Sequence, residues 1–146
     1  MNNNNEIKLY DIGVSIFFLF FYNNLNTKNF IDRSLCIAGI LINLIYFFGR
    51  FTNKKHYISY HHFFQAAMAI TIPIFSNDKD MLFLTTLFSI LVISTRKIFG
   101  KCIVRTLEDK NIKLINNSLS HSLNWDIIYP SLGIGTLIKI YYYHLS

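Results

Sequence analysis

The sequence predicts an all-α integral membrane protein with four or five transmembrane helices. Three observations lead to this fold class. Apolar residues make up 52% of the 146-residue chain, charged residues make up only 15%, and the apolar residues gather in runs separated by polar connectors. An average soluble domain carries about 25% charged residues, so this chain has few groups with which to keep a large surface hydrated. We expect residues 1–146 to form a single polytopic transmembrane domain.

The apolar runs are the candidate membrane spans. A helix rises about 1.5 Å per residue, so about 20 residues cross a hydrocarbon core that is roughly 30 Å thick. The first two runs are shorter than this, which leaves four spans as the alternative to five. A polar, asparagine-rich tail at residues 1–6 precedes the runs and is expected to be disordered. The candidate spans cover residues 10–22, 35–48, 57–75, 81–94 and 127–143.

Residues 95–115, between the last two spans, alternate between basic and apolar side chains. Phe99, Ile103 and Leu107 recur every four residues and therefore share one face of a helix. Basic amphipathic helices of this kind lie on lipid surfaces, where they attract anionic headgroups. The segment is therefore predicted to be an interfacial helix on the bilayer. The residues predicted to contact the headgroups are Arg96, Lys97, Lys101 and Arg105.

The positive residues also predict an orientation. With five spans the connectors alternate sides, and ten positive residues then fall on the side of the N-terminus against three on the other side. Because cytoplasmic loops are enriched in Lys and Arg, we place the N-terminus on the cytoplasm-like side. Lys139 lies inside the fifth run and is expected to reach outward to the headgroups.

The composition and net charge of +6 give two further expectations. Nucleic-acid binding would need basic residues clustered on a soluble face, whereas these lie between apolar runs, so no nucleic-acid partner is predicted. The heavy use of Ile, Phe, Asn and Lys, which all have A/T-rich codons, indicates an organelle or a large DNA virus as the source of the membrane. The sequence does not identify that membrane further.

Polar side chains inside the spans are the candidate functional residues, because such groups are costly in hydrocarbon unless they face protein or water. In the second span, Gly39 and Asn43 share a face that suits close helix packing. In the third span, we expect His62 and Gln65 to bond to a neighbouring helix and His61 to lie at the headgroup level. The candidate residues are thus Asn43, His61, His62 and Gln65.

Metal or haem binding is the alternative role for His61 and His62. Some membrane lipid enzymes bind metals through HxxHH clusters, but Ile58 occupies the first of those histidine positions here. Cys36 and Cys102 have no metal-ligand spacing. We therefore predict no metal ligand and no cofactor.

The favoured function is non-enzymatic: a structural, assembly or accessory subunit that packs against other membrane proteins or against a second copy of itself. Short spans gain from neighbours that cover them, and the available polar groups suit helix contacts. Two alternatives stay open. A small oligomeric channel or carrier would line its path with Asn43, His62 and Gln65. A redox protein or lipid-modifying enzyme would use His61 or His62 instead.

Overall fold

A computed structural model describes residues 3–26, 29–99 and 125–144, and the regular elements in these ranges are all α-helices. The predicted all-α class is thereby confirmed. Lys101 and Arg105, and with them most of the predicted interfacial segment, lie outside the described residues. The helices are α1 (Asn3–Asn23), α2 (Phe30–Phe51), α3 (Lys55–Phe75), α4 (Lys79–Phe99) and α5 (Trp125–His144).

Neighbouring helices run antiparallel. Asp11 in the first half of α1 pairs with Arg50 near the end of α2. Arg96 near the end of α4 pairs with Asp126 at the start of α5. The connectors therefore alternate between two ends of the bundle. We call the end where α2 and α4 finish the basic end; its positive residues are Arg50, Lys54, Lys55, Arg96 and Lys97.

The helices are longer than the apolar runs from which they are predicted. α2 has 22 residues, and α1 begins at Asn3, within the segment 1–6 that the sequence predicts to be disordered. Polar residues at the ends extend the helices by capping them. Asn29 Oδ1 accepts a hydrogen bond from the backbone N of Ile31 at 3.0 Å, and Asp78 caps α4 through two backbone amides in the same way.

Two helices, Phe30–Phe51 and Lys79–Ile98, are long and apolar enough to cross a membrane. Large apolar side chains also cover the outside of the bundle. Each helix exposes about half or more of at least one such side chain, for example Ile16 (59%), Leu41 (57%), Ile74 (61%), Leu91 (53%) and Ile134 (59%). An outer surface of this kind favours a membrane location.

The core of the bundle lies where α1, α2, α3 and α4 meet, around Phe21, Met68 and Met81. Gly39 of α2 allows α1 to approach closely, because a Cβ atom at this position would lie 2.5 Å from the Phe21 ring. Phe21 is itself buried, with 2% of its surface exposed, and has little room to move. The face of α2 that carries Gly39 and Asn43 is therefore a helix-packing face.

Candidate functional site

Two polar regions meet at His61 and His62 in the first half of α3. His61 is fully buried, with 0% of its surface exposed, whereas His62 is only partly buried. His61 contacts side chains of α1 and α2. His62 and Gln65, which follow it on α3, border a cavity. The two regions are described in turn.

His61 lies in a chain of hydrogen bonds that joins α1, α2 and α3. Its Nδ1 is 3.0 Å from the hydroxyl oxygen of Tyr10, and its Nε2 is 3.3 Å from Oδ1 of Asn43. Asn43 Nδ2 donates to the carbonyl oxygen of Gly39 at 2.8 Å, so its Oδ1 is the acceptor that faces the ring. This pattern fits a neutral imidazole that donates through Nε2 and accepts the hydroxyl proton at Nδ1. Both ring nitrogens are thus occupied by contacts between helices.

Beside this chain, Asp11 of α1 binds two side chains of α2. Arg50 donates to the carboxylate through Nε at 3.0 Å and Nη2 at 2.9 Å, and the buried Tyr46 hydroxyl donates to Oδ1. The rings of Tyr46 and Tyr10 are edge to face, with centroids 5.2 Å apart. Asp11 and Arg50 keep 35% and 37% of their side-chain surfaces exposed, so they form the rim of the polar chain at the basic end.

Sequence reasoning did not single out Asp11, Tyr46 and Arg50 as interacting residues. The positions of the two charged residues in the sequence could have indicated the pairing, since Asp11 lies early in the first apolar run and Arg50 lies just after the second. On antiparallel helices joined by a short connector, two such positions come to the same end of the bundle. An acidic and a basic residue at these positions are therefore expected to pair.

Next to this chain of hydrogen bonds, α3 borders a cavity of about 320 Å³ that also contacts α1, α4 and α5. The walls are mainly apolar and include Phe17, Phe88 and Val92. Gly13 of α1 also lines the cavity, and a Cβ atom there would meet no atom within 4 Å. The polar residues that border the cavity are Tyr10, His61, His62, Gln65, Thr95 and Tyr129.

Gln65 is the polar residue of this cavity whose hydrogen bonding is incomplete. Its Oε1 is buried and accepts no hydrogen bond from the residues that the structure describes. Thr95, by contrast, donates to the carbonyl oxygen of Val92 at 3.0 Å. A buried amide oxygen without a donor costs about 1–3 kcal/mol.

The four candidate residues of the spans have different surroundings. Asn43 and His61 bond to each other across α2 and α3, whereas His61, His62 and Gln65 border the cavity. His61, which the sequence places at the headgroup level, is the fully buried ring of the two. Adjacent residues on a helix point about 100° apart, and the sequence alone does not say which of two histidines faces a neighbour.

Of the predicted lipid-surface residues, two are described. Arg96 pairs with Asp126 through Nε and Oδ1 at 3.0 Å, with 31% and 72% of the two side chains exposed. Lys97 is exposed. Both lie at the basic end, beyond the apolar part of α4.

Within the described ranges, no group of three or more His, Cys, Asp or Glu side chains is arranged to hold a metal ion. Cys36 is buried, and its Sγ lies 3.9 Å from Sδ of Met81. Together with the occupied ring nitrogens of His61, this arrangement gives the metal or haem alternative no ligand set in this part of the chain.

No protein-family model matches the chain, and the searches of curated proteins and of solved structures found no significant match. Antiparallel helical bundles serve as packing subunits, carriers and redox proteins alike, so the fold does not choose among these functions. The function is therefore inferred from the arrangement of the chain's own side chains.

Proposed function

We propose that the protein is a non-enzymatic, multi-pass membrane subunit that crosses the bilayer with five helices and packs against a further transmembrane helix through the outer face of α5. The five helices contain 20 to 22 residues each. At about 1.5 Å per residue, each is long enough to cross a hydrocarbon core of roughly 30 Å. Length therefore permits all five described helices to span, and Phe30–Phe51 and Lys79–Ile98 are also apolar enough over that length.

A pair of small residues on the outside of α5 carries the proposal. Ser131 and Gly135 are both exposed and stand four residues apart, so they lie on one side of the helix. A Cβ atom at Gly135 would meet no atom within 4 Å. Small residues spaced by one turn allow two transmembrane helices to approach closely. We call the face formed by Ser131 and Gly135 the α5 outer face.

The inner side of α5 already has a partner within the chain. A Cβ atom at Gly133 would lie 3.4 Å from Cβ of Ser89 on α4, and the hydroxyl oxygens of Thr86 and Thr136 are 2.6 Å apart. Gly133 thus serves the contact between α4 and α5, and Gly135 is left for an outside helix.

The polar interior supports a packing role rather than a reaction. Asp11, Asn43 and His61 use their hydrogen bonds to join neighbouring helices. A channel or carrier would place Asn43 on one path with His62 and Gln65. Asn43 instead faces α3 through His61, whereas the other two border the cavity, which gives the carrier alternative less support.

Assembly is the measurement that tests the α5 outer face. The wild-type chain, purified in a mild detergent, is expected to elute with a second copy or with another membrane protein in size exclusion with light scattering. Gly135→Phe should remove that partner, because the ring occupies the space through which the helices approach. Ala67→Phe is the matched control, since Ala67 is a small exposed residue on α3. A monomeric wild type, or a Gly135→Phe variant that keeps its partner, would contradict the proposal.

The crossing of the bilayer by α3 has its own test. Lys54 and Lys79 are exposed residues at opposite ends of the bundle. Each is replaced by Cys, and the variants are treated in sealed vesicles with a membrane-impermeant thiol reagent, with the parent chain as background. Five spans predict that the two positions are labelled from opposite sides. Labelling of both from one side would rule out this topology.

A further inference from the structure

We propose that the connector between α2 and α3 binds the phosphate group of an anionic phospholipid, and that Lys54 and Lys55 are the residues that hold it. The inference rests on the membrane location proposed above but not on the α5 outer face. It follows from the ion pairs of the basic end, the depth of the connector, its hydrogen bonding and the difference in charge between the two ends of the bundle.

Two adjacent lysines of the basic end are left for a partner outside the chain. Both arginines of this end already pair with carboxylates of α1 and α5. Lys54 and Lys55 are exposed and form no ion pair with any residue that the structure describes. The first turn of α3 carries no acidic residue, so the helix that begins at Lys55 does not neutralise them either. The connector therefore presents two positive charges to its surroundings.

The connector lies at the level where a bilayer has its headgroups. The helix before it, α2, is long and apolar enough to cross a membrane and ends at Phe51. Its 22 residues extend over about 33 Å, slightly more than a hydrocarbon core of roughly 30 Å. Phe51 is 93% exposed, so an acyl chain can contact its ring while the phosphate of the same lipid meets Lys54 and Lys55.

The backbone of the connector is a tight, hydrogen-bonded turn. The amides of residues 52–54 donate to carbonyl oxygens in the last turn of α2. Asn53 has a φ of 56°, the left-handed conformation that reverses the chain after a helix. The backbone at Lys54 and Lys55 is therefore already ordered, and only the side chains lose freedom when a lipid binds.

The two ends of the bundle differ in charge. At the basic end, the positive residues named above outnumber Asp11 and Asp126, while Glu6 and Lys8 of α1 offset each other. Among the described residues of the opposite end, basic and acidic side chains are equal in number: Arg33, Lys79 and Lys139 against Asp32, Asp78 and Asp80. Basic groups next to a membrane are attracted to a leaflet that contains anionic lipids. The basic end is therefore the one that complements such a leaflet.

A lipid fits this surface better than a dissolved anion does. Lys54 and Lys55 are exposed to water, where an ion pair with a dissolved phosphate contributes little. A phospholipid is already confined to the leaflet, so its phosphate has a high effective concentration beside the connector and loses less freedom on binding. The occupant is therefore an anionic lipid rather than free phosphate.

Quenching of tryptophan fluorescence by brominated lipids tests the proposal at the connector itself. The parent for the measurement is the full chain with Phe51→Trp and Trp125→Phe, which moves its single tryptophan to the exposed aromatic position before Lys54. This chain is reconstituted in phosphatidylcholine vesicles that contain either brominated phosphatidylglycerol or brominated phosphatidylcholine. We expect the anionic lipid to associate beside position 51 about fivefold or more in preference to the zwitterionic one. The preference should fall in 1 M potassium chloride, where the Debye length is about 3 Å.

Two pairs of substitutions separate the connector from the net charge. Lys54→Gln combined with Lys55→Gln removes both ammonium groups and should lower the preference by at least about fivefold. Arg33→Gln combined with Lys79→Gln is the matched control, since it removes two positive charges from exposed residues at the opposite end and should leave the preference unchanged. Inorganic phosphate, added at the same ionic strength as a chloride control, should not displace the lipid.

Four results would overturn the proposal. They are equal quenching by the two brominated lipids in the parent chain, an undiminished preference after substitution of Lys54 and Lys55, a loss of equal size in the control pair, and displacement by inorganic phosphate, which would assign the lysines to a dissolved anion. Brominated phosphatidylcholine separates these failures from a failure of the membrane location, because neither lipid quenches position 51 if that position does not face a bilayer.

Discussion

Lys139 of α5 reaches across the bundle to Pro73 of α3, where its Nζ lies 2.9 Å from the carbonyl oxygen of the proline. The same ammonium group lies 2.6 Å from the carbonyl oxygen of Ser76. The last carbonyls of a helix have no partner within the helix and carry its negative dipole end, so a cation placed there is favourable. Lys139 therefore caps α3 from another helix.

Replacement of Lys139 by Met should destabilise the fold. Met keeps most of the apolar stem but removes the charged donor from two carbonyl groups, and hydrogen bonds to charged groups contribute about 1.5–3 kcal/mol each. Because Lys139 is partly exposed, we expect a loss of about 2 kcal/mol in the free energy of unfolding, measured by SDS titration in mixed micelles. Lys55→Met, at the exposed start of α3, should have almost no effect. Equal stability of the two variants would show that the cap contributes nothing.

The contact between Asp11 and Tyr46 should appear as an interaction energy. Asp11→Asn removes the charge of the acceptor in the hydrogen bond between α1 and α2, and Tyr46→Phe removes its donor, so the double variant should lose less stability than the two single variants together. For a hydrogen bond to a carboxylate we expect a coupling of about 1–3 kcal/mol in this double-mutant cycle. Tyr22→Phe, which changes an exposed tyrosine of α1, should combine additively with Asp11→Asn.

The helical class could be predicted from the sequence because the apolar runs and their spacing determine it. The helix ends could not be predicted in the same way, because capping depends on single polar residues such as Asn29. This residue lies in a connector that contains several similar side chains, and the sequence does not show which of them caps the helix. The pairing of Asp11 with Arg50 could have been predicted from their positions in the chain, but it also depends on how each helix is rotated about its axis. Apolar periodicity fixes that rotation only loosely when a helix is apolar on all sides.

The cavity is the feature that sequence reasoning could not find. It arises where α1 and α4 fail to close on each other, and these helices are far apart in the sequence. Gln65 could be named as an intramembrane polar residue, but its burial beside a void depends on all the surrounding helices. Lys139 was expected to reach the headgroups; the carbonyl oxygens that it contacts belong to a helix whose position the sequence does not give.

Two glycines should respond to alanine in opposite directions. A Cβ atom at Gly39 would lie 2.5 Å from the buried Phe21 ring, so Gly39→Ala should destabilise the fold by about 1–3 kcal/mol. A Cβ atom at Gly13 of α1 would meet no atom within 4 Å, so Gly13→Ala should gain up to about 1 kcal/mol from the better helix propensity of alanine. The midpoints of SDS unfolding report both changes. A gain at both positions would mean that α1 and α2 do not pack as closely as described.

Metal content tests the metal or haem alternative directly. We expect elemental mass spectrometry of the detergent-purified chain to find no stoichiometric iron, copper or zinc, because both ring nitrogens of His61 already contact Tyr10 and Asn43. The His61→Ala, His62→Ala double variant is measured beside it. Stoichiometric metal in the wild type that disappears in this variant would favour a redox or lipid-modifying function over a packing subunit.

His61 and Asn43 should behave as a unit in stability measurements. His61→Leu leaves the buried Oδ1 of Asn43 without a donor, and Asn43→Leu leaves Nε2 of His61 without an acceptor, so each should cost about 1–3 kcal/mol. Replacing both partners removes the unpaired groups, and the double variant should therefore be more stable than the sum of the single losses predicts. The control cycle combines Asn43→Leu with His62→Leu, which should be additive because the hydrogen bond of Asn43 to α3 is made with His61. Additivity in the first cycle, or coupling in the second, would mean that the two histidines have been assigned the wrong way round.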